Sequence, residues 1–84
     1  MHLGIYSLEK SFYHGEARSV NCKTAMGEVT ILNNHQPLIS ILEKGVIKII
    51  DEENKEHYIE TESGFLNVLE GNIVRILIDS NDEN

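Results

Sequence analysis

The residues able to do chemistry in this sequence are four histidines, one cysteine, several carboxylates and a Ser-Gly pair. His2, His14, His35 and His57 invite a metal reading. Zinc takes imidazole ligands at converging spacings such as H-x-H, with Cys or carboxylate arranged beside them. No two of these histidines have such a spacing, so the expectation is exposed or loop imidazoles that titrate near neutral pH. Cys22 stands alone between Asn21 and Lys23. A nucleophilic thiol needs a lowered pKa and a base in reach, and no Cys-His signature surrounds this one. A structural thiol is expected. Gly27 and Gly64 are isolated and open no strand-to-helix phosphate loop. Ser63-Gly64 lacks the first half of a nucleophile elbow. Glu52, Glu53, Glu60 and Glu62 supply acids, but Glu60 and Glu62 share one strand face by the period of two and read as a solvated face. A glycosidase would set two carboxylates across a cleft, which a chain this small seldom holds. The residues therefore assign no catalytic group, no cofactor and no metal.

The elements that would carry such residues belong to one small domain of 84 residues. Lys and Arg total 7 against 14 Asp and Glu, a formal charge of −7. That balance excludes the basic footprint of a nucleic-acid binder and the polybasic patch of an anionic-lipid binder. Hydrophobic residues make up 40%, above the level of a disordered chain. No apolar run approaches the ~18 residues of a membrane span. The first residues, Met1 to Tyr6, show neither a basic n-region nor a long h-region, so no signal peptide is expected. One cysteine excludes an intrachain disulfide framework. A small, acidic, cytosol-facing domain is expected. Its charge is lopsided: residues 1–42 balance three acids with three bases, and residues 43–84 carry the whole −7. A neutral half beside an acidic half suits a docking module as well as it suits chance.

Ile occurs 11 times and Val 5 times, while Ala occurs twice. Branched side chains fit a pleated surface and lose rotamer freedom in a helix. Alternation recurs at Val46 to Ile50, Phe65 to Leu69 and Ile73 to Ile78, and no window keeps a helical period over three turns. The pattern predicts an all-β chain with strands near 2–7, 10–14, 16–24, 27–32, 36–42, 45–51, 55–61, 64–69 and 72–78. Turns are expected at His14-Gly15, Met26-Gly27, Asn33 to Pro37, Asp51 to Lys55 and Glu70 to Asn72. Such strands without helices indicate a sandwich or barrel. The expected inward set is Leu3, Ile5, Phe12, Val20, Val29, Ile31, Leu38, Ile41, Val46, Ile49, Phe65, Leu66, Val68, Val74, Ile76 and Ile78. A polar tail is expected over residues 80–84.

One stretch carries more information. Residues Gly27-Glu28-Val29-Thr30-Ile31-Leu32-Asn33-Asn34-His35-Gln36-Pro37-Leu38 resemble the G-E-x-x-I-L-P-x-H-x-P-L signature of the epsilon subunit of F-type ATP synthases. Leu8 to Ala17 resembles that family's opening A-E-x-x-x-x-x-G-x-A segment. Gly45-Val46-Ile47-Lys48-Ile49 and Ser63-Gly64-Phe65-Leu66-Asn67-Val68 are similar to its G-x-x-x-I and G-G-F-L-E-V strands. The motifs run in order over residues 3–79. Asn33 stands where the family usually has Pro, and Glu62-Ser63 replaces the usual Ser-Gly before Gly64. The family continues into a C-terminal pair of helices that carry its inhibitory function and, in some members, an ATP site. Nothing in this sequence matches them, so neither property is carried over.

The resemblance implies a two-sheet antiparallel β-sandwich of about ten short strands over residues 1–79. It implies a non-catalytic rotor subunit in the central stalk, on the cytoplasmic face of the inner (plasma) membrane. The subunit would bind the gamma subunit at its side and rest on the c-ring, passing torque as a rigid body and coupling ion-driven rotation to ATP synthesis without inserting into the membrane. Glu28 and the loop residues Asn33, Asn34 and His35 match the family positions that face the c-ring. Glu28 would offer a carboxylate to basic groups there. Candidates for the gamma contact are apolar residues unclaimed by the core: Tyr6, Leu42 and Leu69. Lacking the hairpin, such a subunit would not restrain ATP hydrolysis. The alternative is a free-standing β-sandwich that binds a small ligand or peptide. The first reading predicts a flat apolar side patch with a polar end loop; the second predicts a concave pocket with convergent polar groups.

Overall fold

The computed structural model describes residues 1–79, which form eight strands: β1 (His2–Tyr6), β2 (Ser11–Thr24), β3 (Gly27–Leu32), β4 (Leu38–Leu42), β5 (Gly45–Asp51), β6 (Glu56–Thr61), β7 (Ser63–Leu69) and β8 (Ile73–Asp79). The expected tail at 80–84 lies outside the described residues. The β2 strand replaces two expected strands. Gly15 does not turn the chain; it pairs with Leu3 inside a continuous 14-residue strand. A glycine with no side chain to pack suits a strand that must bend. The count is therefore eight rather than nine or ten.

The long strand serves both layers of the sandwich. Its first half pairs with β1 (His2 opposite Glu16, Ile5 opposite Tyr13), and its second half pairs with β3 and β5. Bulges at both pairings supply the bends. One layer is β4-β7-β8-β1 with the start of β2. The other is β3, the end of β2, β5 and β6. The far end of β2 also returns to β4, with Thr24 opposite Leu42 and Ala25 N–H donating to Ile41 O at 2.9 Å. All pairings are antiparallel except β1 with β8, which is parallel and corrects the expectation of a wholly antiparallel fold.

Between the layers lie Leu3, Ile5, Val20, Ile31, Ile49, Leu66, Val68, Val74, Ile76 and Ile78, as the alternation predicts. Phe12, Val29 and Leu38 pack against this core while partly exposed. Three residues expected inside are outside: Ile41, Val46 and Phe65. Their neighbours Leu42 and Ile47 are buried instead, and of the pair Phe65-Leu66, both expected inside, only Leu66 is. The physical reason is parity: in a run of consecutive apolar residues the pleat sends alternate side chains to opposite faces, and composition alone does not say which. Met1, Ala17 and Cys22 also join the core.

Candidate functional site

Where the alternation leaves apolar residues facing out, they line up. On the outer face of β4, β7, β8 and β1 the register sets Ile41 beside Phe65, Phe65 beside Leu77 and Leu77 beside Tyr6. The next row begins with Ile39, and a third sets Leu69 beside Ile73. Ile39 is 75% exposed, and Ile41 and Phe65 are each 56% exposed. Arg75 and Asn67 are the polar residues between these rows. The Tyr6 ring lies back over Gly4, whose added Cβ would stand 2.6 Å from the Tyr6 hydroxyl, so glycine here lets the ring lie flat. The result is a contiguous apolar face across four strands.

At one end of this face a groove of about 430 Å³ opens between the β1–β2 connection and the start of β7. Gly64 sits in its wall. A Cβ there would meet Leu77 O at 2.2 Å, so the close approach of β7 to β8 demands glycine.

The sequence-derived contact candidates fall differently. Tyr6 and Leu69 lie on the apolar face, half-buried. Leu42 does not: it is 1% exposed and inside the sandwich, because its parity on β4 is opposite to that of Ile41. Glu28 and the Asn33–His35 loop are not brought together. They stand at opposite ends of β3, separated by roughly 20 Å of extended chain. Glu28 is exposed next to the Met26-Gly27 turn, where Met26 is 90% exposed, and lies opposite Lys23.

Asn33 and Asn34 are tied down. Asn34 takes positive φ, its N–H donates to Asn72 Oδ1 at 2.7 Å, and Asn33 Oδ1 accepts from the Met1 amino group. Asparagine tolerates this backbone and bonds locally, so Asn33 anchors the loop by hydrogen bonds. His35 Nδ1 lies 2.7 Å from Gln36 O.

The histidines converge more than their spacing suggests. His2 and His14 meet edge to face at 5.1 Å, and His2 Nδ1 lies 3.2 Å from Glu16. His57 Nε2 lies 2.9 Å from Asp51 Oδ2 and packs edge to face against Tyr13. Strand pairing, invisible in linear spacing, brings them together. Among the described residues no group of three His, Cys, Asp or Glu side chains is placed to hold a metal. The bond from His57, followed by backbone N–H groups of Lys55 and Glu53, holds the Asp51 carboxyl below its ordinary value. Burial pushes the Cys22 thiol up to about 11, which makes it inert at neutral pH.

The sequence matches the model of the ATP synthase, Delta/Epsilon chain, beta-sandwich domain family over residues 1–82. The chain belongs to that family. Among solved structures, one chain of the Euglena gracilis mitochondrial ATP synthase (OSCP/F1/c-ring, rotational state 1) superposes with a TM-score of 0.87 at 20% identity. The alignment covers 93% of this chain and 49% of that one. A chain of the Tetrahymena thermophila mitochondrial ATP synthase central stalk/c-ring gives 0.78 at 18% identity, covering 93% and 62%. At these identities the likenesses show the delta/epsilon fold, and the present chain spans about half to three-fifths of each relative's length.

Proposed function

We propose that this chain is the non-catalytic rotor subunit of an F-type ATP synthase central stalk, binding the gamma subunit through the outer face of β4, β7, β8 and β1. One observation carries the reading: Ile41, Phe65, Leu77 and Tyr6 form an unbroken apolar row across four strands, flanked by Ile39, Leu69 and Ile73. An apolar area that contiguous on a small domain marks a partner surface. Family membership supplies the class of partner. The groove beside it lacks the convergent buried polar groups of a small-ligand site, which favours the docking reading over the ligand module. A sandwich with one shared, close-packed core is stiff, as transmission of torque requires.

The c-ring contact is proposed for the end that carries Glu28 and Met26, while Asn33 and Asn34 hold the opposite end together. The coupling of ion-driven rotation to ATP synthesis, and a peripheral place on the cytoplasmic side of the membrane, follow from the same reading.

The experiment is size-exclusion chromatography with light scattering on the chain and the gamma subunit of its own complex. A one-to-one species is expected, abolished by Phe65→Asp and retained by Tyr58→Asp on the other sheet. Loss of the complex with Tyr58→Asp and not with Phe65→Asp would sink the assignment of the face. For the c-ring, Glu28→Cys is expected to crosslink to a c-subunit loop and Asn34→Cys is not. Buried Cys22 gives no background.

A further inference from the structure

The groove at the end of the apolar face has an asymmetric lining. Its floor is Ile41, Phe65 and Leu77, and its rim carries two carboxylates, Glu9 and Asp79. No cation lines it. Lys10, next to Glu9 in the chain, sits over the Phe12 ring at 5.0 Å, and Lys44 faces Glu62 at 4.0 Å. Any partner that covers the floor strips water from both carboxylates. An unpaired charge buried in this way is costly, whereas a cation placed against it restores the balance.

That requirement selects among occupants. The five residues after Asp79, Ser-Asn-Asp-Glu-Asn, contain neither an apolar nor a cationic side chain, so that stretch does not match the groove. A second copy docking face to face would present the same patch twice, with Arg75 the cation this face offers to the two carboxylates of each copy, a poorer match than a partner with its own basic group at the rim. A foreign segment with an apolar stripe ending in a basic residue satisfies both floor and rim. We propose that the groove receives such a segment of the docked partner, its lysine or arginine held by Glu9 and Asp79. This rests on the docking reading of the preceding section and adds to it the chemistry of the contacting segment.

The test is the affinity of the chain for the gamma subunit of its own complex as a function of salt. The double variant Glu9→Gln/Asp79→Asn is compared with the unmodified chain, both checked for folding by circular dichroism. Both side chains are exposed, so the fold is expected to survive. The double variant is expected to bind about tenfold more weakly at low salt, with the gap closing to within about twofold near 1 M, where screening is short-ranged. Identical binding by the two across the salt series, with Phe65→Asp still abolishing the complex, overturns the basic-segment inference and leaves the docking face standing. A complex that survives Phe65→Asp overturns both. Homodimers of the chain alone that Phe65→Asp dissolves would also overturn it, since a second copy would then fill the groove.

Discussion

On the outer face of β4, β7, β8 and β1, exposed apolar residues are neighbours: Ile41, Phe65, Leu77 and Tyr6 follow one another across the strands. On the outer face of β3, β5, β6 and the end of β2, apolar residues are as exposed but isolated. Leu32 faces Ser19; Val46 faces Glu60; Tyr58 faces Lys48, which lies opposite Asn21. Tyr58 is 59% exposed, more than Phe65. Exposure of single residues therefore does not separate the two faces. Continuity across strands does, because a partner excludes water only from an unbroken apolar area. The second face satisfies its polar groups internally: Asn21 donates to Thr30 at 2.8 Å and Tyr58 to Glu56 at 2.5 Å. The first face leaves its apolar rows for something else to cover.

The sharpest way to break this contrast is within one strand. Leu42 and Ile41 are adjacent on β4, one inside and one on the apolar outer face. Leu42→Ala is expected to cost about 2–5 kcal/mol of stability by opening a cavity. Ile41→Ala should stay within about 0.5 kcal/mol and weaken gamma binding instead. Urea denaturation and binding isotherms on both variants check this. Equal destabilisation by the two would mean that the outer face is structural. Next in size is Gly64→Ala. Its Cβ would press into the backbone of Leu77 and Ile78, not a movable side-chain tip, so a loss of about 1–3 kcal/mol is expected. A neutral result would mean that β7 and β8 separate easily and that the groove wall is soft.

Much of this was legible in the sequence. Branched residues and alternation announced an all-β chain, and motifs spread over residues 3–79 carried the family. Parity was not legible where apolar residues run together, as at Ile41-Leu42 and Phe65-Leu66, because either alternate set could face in. The centre of the apolar face was hidden for the same reason: Ile41 and Phe65 are two of the residues that the alternation wrongly sent inside, whereas Tyr6 and Leu69 at its edges were legible as apolar residues unclaimed by the core. Gly15 read as a turn because a glycine that ends a strand and one that bends it look alike in one dimension. The meetings of His2 with His14 and of Asp51 with His57 depend on pairing register, which local spacing does not encode. Asn33 shows the reverse: in one dimension it is only a departure from the family's usual Pro, and the structure gives it partners in Met1 and Asn72.

Acid titration sharpens the contrast at the rim between the layers. Asp51 Oδ1 accepts N–H bonds from Glu53 and Lys55, and Oδ2 meets His57. A carboxyl held low in the folded state adds stability that is present above its unfolded pKa and lost as pH falls through the folded one. Starting from the ordinary value of 3.8, that contribution is intact at neutral pH and disappears as pH drops below about 4. Asp51→Asn should therefore lower the melting temperature at pH 7, by a gap that shrinks as pH falls below 3.8. A gap of constant size through the acid range would assign the effect to packing of the hairpin.

The smallest expected effect is on the second face itself. Tyr58 donates to Glu56, and Lys48 Nζ stands 3.6 Å from the same carboxylate. The Tyr58 bond first, and Lys48 second, hold the Glu56 carboxyl below its ordinary value, while the same bond pushes the Tyr58 hydroxyl up. All three side chains are open to water, and exposed pairs of this kind contribute little to stability because solvent screens them. Tyr58→Phe should therefore raise the Glu56 pKa toward 4.5, seen by NMR titration of its side chain. The melting temperature should stay within about 2 °C and gamma binding should be unchanged. A lost complex would show that this face, whose polar groups already bond to one another, is also covered by the partner. In that case contiguity of apolar residues would no longer be what separates the two sides of the sandwich.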